Sequence, residues 1–312
     1  MVATLVAKGL RRQICCPMKS NDTISAWLPW AARAAWLAVA LAGGAAIDAA
    51  VSDRSDAVRW TATVGGWVIW GVGAAALMIA AVRSLTAIRL LAPLALAATL
   101  AAGLGGATAV QLTALGVPAF ITVAAVFTAE FGRTFVQASA YGDEQRLLLR
   151  APVAAGTAAI VMWMIWAAVL LTGPLLLAAR SWIAGGVLAS VALAMTALVT
   201  PSWHRLSRRW LVFVPAGLVL HDPVVLHDTV MLRTNQVRSI RLAPADTQAA
   251  DLTGPASGFA LEVTATERIT AVFAATPQER NGRAIHLNAF LVCPSRPGGA
   301  LDVAGERRLP VE

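Results

Sequence analysis

The sequence predicts an α-helical polytopic membrane protein of about six transmembrane helices followed by a small, mainly-β domain. Two observations predict it: charge is scarce and unevenly placed, and the apolar pattern changes period near Pro201. Of 312 residues, 58% are hydrophobic and 13% charged, with a mean hydropathy of +0.67. A soluble domain carries about 25% charged residues, so half the expected charge is missing. The deficit is confined to one part of the chain. Residues 26–200 hold 9 Arg and 6 acids, whereas the shorter stretch 201–312 holds 12 Arg and 10 acids. The expected organisation is therefore an N-terminal segment over 1–25, a six-helix transmembrane domain over 26–200 and a β-rich domain over 201–312.

A bilayer core about 30 Å thick takes roughly 20 apolar residues of helix, and the spans follow from runs of that length. The first covers Trp30–Ala50, with Arg33 and Asp48 near its ends, and the second covers Trp60–Val82, closed by Arg83. No charge occurs between Leu90 and Ala129. That run is twice the needed length and must fold back, with the turn between Gly103 and Thr113. It yields a third span near 90–106 and a fourth near 110–131. Ala151–Ala179 makes the fifth, and Trp182–Thr200 the sixth before Pro201 stops it.

Orientation follows the Lys and Arg of the loops. With six spans, one side collects 12 of them (Lys8, Arg11, Arg12, Lys19, Arg83, Arg89, Arg133, Arg146, Arg150, Arg205, Arg208, Arg209) against Arg54, Arg59 and Arg180 on the other. Both termini are therefore expected in the cytosol of a bacterial plasma membrane protein. Trp27, Trp30, Trp60, Trp182 and Trp203 fall near span ends, where interfacial anchors sit. The basic start followed by an apolar run also has the outline of a cleaved signal peptide, which would leave five spans. The run is too long for that reading to be preferred. Met18 opens a compact basic-then-apolar start, so residues 1–17 are open to reading as an over-extended frame.

Intramembrane charge marks function by default, so each polar residue is weighed. Asp48 reads as an interfacial loop acid beside Asp53, Arg54 and Asp56. Arg33 and Arg89 lie within snorkelling reach of the boundary. The fourth helix is expected to run on through Thr134–Ala140 to Gly142, with Asp143 capping the fifth. Glu130 would then lie within a turn of Arg150, and a Glu130–Arg150 pair is the expected tie. A proton relay would need partners deeper in the bilayer, and the sequence offers none. Trp67 with Trp70 and Trp163 with Trp166 lie one turn apart and read as packed or lipid-facing aromatics rather than cofactor boxes. Pro93, Pro118 and Pro174 are placed near span ends, away from the midplane breaks of secondary transporters.

Beyond Pro201 the period shortens to two. Trp210–Val214, a turn at Pro215-Ala-Gly217 and Leu218–His221 read as a hairpin. Thr229–Leu232 and Val237–Leu242 extend it, and a polar linker covers Ala243–Ser257. Phe259–Thr264, Ile269–Phe273 and Ile285–Val292 complete six or seven short strands, which suits a small antiparallel sandwich or open barrel. Cys293-Pro-Ser-Arg-Pro-Gly-Gly299 is expected to break any terminal helix. His221-Asp222 and His227-Asp228 form a repeated pair that reads either as metal ligands or as strand-end polar tips. Neighbours on a strand face opposite sides, which favours the second. His286, on a face with Asn288, reads as exposed. Cys15, Cys16 and Cys293 have neither metal spacing nor a disulfide pattern.

The stretch Arg209-Trp-Leu-Val-Phe-Val-Pro-Ala-Gly-Leu-Val-Leu-His-Asp222 with Val237-Arg-Ser-Ile240 resembles the opening strands of bacterial PH-like domains that follow membrane spans. The layout is similar to multi-pass actinobacterial membrane proteins with such a tail. The resemblance implies a protein- or lipid-binding module and no catalytic residue. PH-like domains end in a helix, from which the Pro/Gly-rich run at 293–299 departs.

No catalytic, cofactor-binding or metal-ligating residue is assigned: the chain contains no Ser elbow, Walker loop, dinucleotide glycine pattern or His-Glu zinc helix. The positive charge is spread along the chain without a basic, aromatic-interleaved patch, so nucleic acid is not an expected partner. The expected function is a non-enzymatic membrane anchor presenting a cytosolic protein- or lipid-binding domain. Its expected partners are membrane lipids and a cytosolic protein bound through residues 201–312. The alternative is a small transporter or channel lined by uncharged Thr, Gln and Trp.

Overall fold

The computed structural model describes residues 20–274 and 282–312; the basic N-terminal segment, Cys15, Cys16 and Met18 lie outside them. Six helices are long and apolar enough to cross a membrane: Trp27–Val51, Asp56–Met78, Val82–Leu104, Ala109–Val126, Val153–Ala178 and Trp182–Ser207. In chain order the helices are α1 (Ser20–Val51), α2 (Asp56–Met78), α3 (Val82–Leu104), α4 (Ala109–Val126), the short α5 (Ala129–Gln137), α6 (Val153–Ala178) and α7 (Trp182–Ser207). The fold-back after α3 uses Gly106 at φ +94°, a conformation open to glycine without strain. Thr108 and Gln111 then form a reciprocal cap that starts α4.

The third span begins eight residues earlier than its charge-free run suggests, because Arg83 and Arg89 are accommodated inside α3. Pro93 and Pro118 consequently sit in the middle of α3 and α4, not near their ends, and both helices continue through them. Arg89 does not simply snorkel: its Nε donates to the Val126 carbonyl at the end of α4, 2.9 Å away. Arg33 likewise donates to Leu77 O at 3.0 Å. Trp27, Trp30, Trp60 and Trp182 are exposed near the ends of their spans. Trp203 is buried instead, edge-on to Trp166 with ring centroids 5.6 Å apart and donating to Ala159 O.

The fourth helix does not run on as one rod. It stops at Val126, and Thr128 caps a new helix by accepting from Phe131 N. This α5 is amphipathic, burying Phe131, Gly132, Phe135 and Val136. After it the chain forms a strand, β1 (Gln145–Leu148), so Asp143 does not cap the fifth span.

The strands after α7 are β2 (Trp210–Val214), β3 (Gly217–His221), β4 (Val230–Arg233), β5 (Val237–Leu242), β6 (Ala250–Asp251), β7 (Leu261–Phe273) and β8 (Arg283–Val292). They make two four-stranded sheets, ordered β1-β2-β3-β4 and β5-β7-β8-β6. Pairing is antiparallel except where β6 lies parallel to β8. Contrary to the helix-breaking expectation, Pro297–Glu306 forms a helix, α8. Proline is tolerated there because it occupies the first turn, where its missing N–H would have no intrahelical partner. Ala300, Val303 and Ala304 bury α8 against the sheet core.

The first sheet has two buried faces. Leu147, Leu149, Leu211, Phe213, Leu218 and Leu220 pack into one core with the second sheet. Leu148, Trp210 and Val212 instead join the core of α1–α5, with Phe131, Phe135 and Val136. A sheet covered on both sides reads as an unbroken apolar run rather than an alternating one, which is the pattern of Trp210-Leu-Val-Phe-Val214.

Candidate functional site

The best-defined polar constellation lies where the last span meets the first sheet. Arg209 and Asp222 have side chains 1% and 0% exposed and form a two-point ion pair, Nε–Oδ1 2.8 Å and Nη2–Oδ2 2.6 Å. The remaining guanidinium donors reach Thr253 O at 2.9 Å and Arg150 O. Asp222 Oδ1 also accepts from Val224 N and Val225 N. One buried pair thus joins the start of α6, the end of α7, the β3–β4 loop and the segment after β6. Two more ties clamp the same junction. Glu130 pairs with Arg296, not Arg150, whose Nη1 donates to Ser257 O. Arg307, the residue that ends α8, grips both Asp143 oxygens at 2.7 and 2.8 Å. Its hydrogen bonds hold the Asp143 carboxyl below, and the Arg307 guanidinium above, their ordinary values.

A polar cleft of about 690 Å³ opens over the second sheet, between the 244–249 loop and β8. Arg241, Thr247, Glu262, Thr264, His286 and Asn288 line it. The Glu262 side chain, 6% exposed, accepts from Arg241 Nη2 at 2.9 Å and from Thr247 Oγ1. The Thr247 hydrogen bond, with help from Arg241 and against the cost of burial, holds the Glu262 carboxyl below its ordinary value. It is therefore an ionised acceptor, a group for recognition rather than for donating a proton. Arg241 Nε is buried with no hydrogen-bond partner among the described residues.

The residues singled out from sequence fall as follows. Asp48 pairs with Arg59 at 3.0 Å on the exposed loop side. The two His-Asp pairs separate: Asp222 turns inward to Arg209, His221 stacks on Trp210, and His227 meets Asp228 at the surface. His286 is exposed and shares a hydrogen bond with Thr270 Oγ1. Trp67 and Trp70 meet edge to face at 5.5 Å, and Trp163 and Trp166 donate to Leu90 O and Thr196 Oγ1. Trp163 and Trp166 thus tie α6 to α3 and α7. A second groove, about 630 Å³, lies between α1 and α4 and is walled by Ala31, Ala35, Ala38, Val117 and Ile121, with Thr113 as the one hydroxyl in its lining. The Arg209–Asp222 pair was missed from sequence, although an Arg ending a span and an Asp ending the second strand of a hairpin were both visible.

Comparison with family models, with curated proteins and with solved structures returns no match.

Proposed function

We propose that this chain is a non-enzymatic plasma membrane anchor that holds a PH-like docking domain against the cytosolic surface for a soluble protein partner. The observation that carries the reading is the first sheet. Its β1 comes from between two spans, and its membrane-side face, with Leu148, Trp210 and Val212, is packed on α5. A domain so seated is presented in one orientation and cannot swing free, while the polar cleft opens away from that seat over the other sheet. The excess of loop arginines on this side supports a cytosolic position for it. A terminal helix packed on the sheets, α8, suits the PH-like layout.

The test uses the full chain, because residues 201–312 alone lack β1. Photo-crosslinking residues are placed at Gln248 and Asn288 on the exposed cleft rim, and at lipid-facing Leu198 as a control. The expected result is one discrete protein adduct from both rim positions, absent from Leu198 and abolished when Thr264→Trp fills the cleft. Adducts to lipid alone would make it a lipid-docking domain and overturn the protein partner, and solute flux in reconstituted vesicles would favour the transporter alternative. Orientation is tested separately with an impermeant thiol reagent. Cys293 is 2% exposed and unsuitable, so Phe259, 78% exposed, is exchanged for Cys in a background without the native cysteines. Labelling in intact cells would place the domain outside and overturn the reading.

A further inference from the structure

The acids of the junction are already taken: Glu130 by Arg296, Asp143 by Arg307, Glu144 by Arg146 and Asp222 by Arg209. Arg83, Arg205 and Arg208 lie at the same membrane boundary, are exposed, and pair with no carboxylate among the described residues. Two of these arginines share one place. Helix α3 begins at the boundary where α7 ends, and Thr86 Oγ1 meets His204 Nδ1 at 2.9 Å between them. Arg83 precedes Thr86 by about one turn and Arg208 follows His204 by about one turn, so both lie on the headgroup side of that contact. Both also act electrostatically on His204.

Arg208 is held in position there. Its Nη2 lies 3.4 Å from His221 Nε2, and His221 stacks on Trp210 at 5.4 Å and 27° while its Nδ1 meets Thr229 Oγ1 at 3.2 Å. Burial, then the charge of Arg208, holds His221 below its ordinary value. The ring is thus neutral at pH 7 and accepts from Arg208. Two guanidiniums lacking a carboxylate at headgroup depth, one of them held by His221, match a phosphate, which arginine binds through paired N–H donors. Basic pockets between membrane helices take anionic headgroups.

We propose that Arg83 and Arg208 together bind the phosphodiester of an anionic glycerophospholipid seated at the α3–α7 seam, its acyl chains lying against the lipid-facing side of α7. The inference depends neither on a docking partner nor on which leaflet this is.

The purified full chain in neutral detergent is titrated with phosphatidylglycerol, phosphatidylcholine or inorganic phosphate. Bound lipid is read by native mass spectrometry and thermal stability in parallel. The expected result is one tightly held phosphatidylglycerol that raises the melting temperature, with no such effect from phosphatidylcholine. Arg83→Gln and Arg208→Gln should each weaken it about fivefold, and the pair about 25-fold, while Arg133→Gln leaves it unchanged. Arg83→Lys with Arg208→Lys should recover part of the loss. Unchanged affinity in the double Gln variant overturns the proposal. So does inorganic phosphate displacing the lipid and stabilising equally well, which would mark a free-anion site. If circular dichroism shows the double variant unfolded, the exposed Arg83→Gln alone decides the matter.

Discussion

Leu148 and Trp210 stand opposite each other across the β1–β2 pair, and both point into the membrane-side core, whereas their neighbours Leu147 and Leu211 point into the core between the sheets. Alternation along a strand therefore assigns successive leucines to two different cores. Gly132 on α5 allows this contact, since a Cβ there would come within 2.8 Å of Arg89 Nη2 and closer still to Leu148. The soluble domain and the membrane domain are joined by packing as well as by the chain.

One consequence concerns fragments. Residues 201–312 expressed alone lack β1, which leaves Leu211 and Phe213 on an open sheet edge. That fragment is expected to aggregate. The same fragment with residues 128–152 fused through a flexible linker, which restores β1 and covers Leu148, Trp210 and Val212 with α5, should run as a monomer on size exclusion with dispersed amide resonances.

The Arg209–Asp222 pair makes a sharper prediction. Removing one partner strands a buried charge, at a cost of about 3–5 kcal/mol. Asp222→Ala should therefore lower the thermal stability of the β domain strongly. Replacing both residues with apolar ones of similar size, Arg209→Met with Asp222→Leu, should cost less than Asp222→Ala alone. A double-mutant cycle by thermal unfolding in detergent measures the difference.

In the membrane, Trp36 and Trp70 exchange hydrogen bonds: each indole Nε1 donates to the other's carbonyl at 2.9 Å. Gly73 makes room, because a Cβ there would lie 2.5 Å from Trp36 Cζ2. Trp36→Phe should cost about 1 kcal/mol for the lost bond, and Gly73→Leu about 1–3 kcal/mol by overpacking. Thermal shift of the purified protein should rank both below wild type, and below Gly71→Leu, whose Cβ meets nothing within 4 Å.

The Asp143–Arg307 tie carries a pH dependence. The Asp143 carboxyl is held below its ordinary value by the Arg307 hydrogen bonds. A depressed carboxylate stabilises the fold above its ordinary value of about 4 and loses that contribution as pH falls through its folded value. Hydrogen exchange of α8 should accelerate as pH drops below ~4, after correction for intrinsic rates. The Asp143→Asn variant should show faster exchange at neutral pH and no added change across that window.

How much of this was legible depended on which solvent decides the element. The linear order exposed the Trp210–His221 hairpin, because a tight turn and apolar strands are local. It did not expose β1. Arg146-Leu-Leu-Leu-Arg150 is a short apolar run that fits helix or strand equally, and only pairing with β2, about 60 residues away, makes it a strand. The expected Glu130–Arg150 pair is replaced by Glu130–Arg296. The choice of Arg296 over Arg150 rests on α8 folding back to the membrane boundary, and the helical reading of α8 was lost to a proline that its first turn accommodates.

The sequence by itself determined that the protein has six spans and a water-exposed β-rich end, because a bilayer imposes apolar length and scarce charge one segment at a time. Tertiary structure alone decided that the two parts share a sheet, that Asp222 belongs to Arg209, and that Thr86 meets His204. Those relations join residues 13 to 118 positions apart, and nothing local to either partner specifies the other.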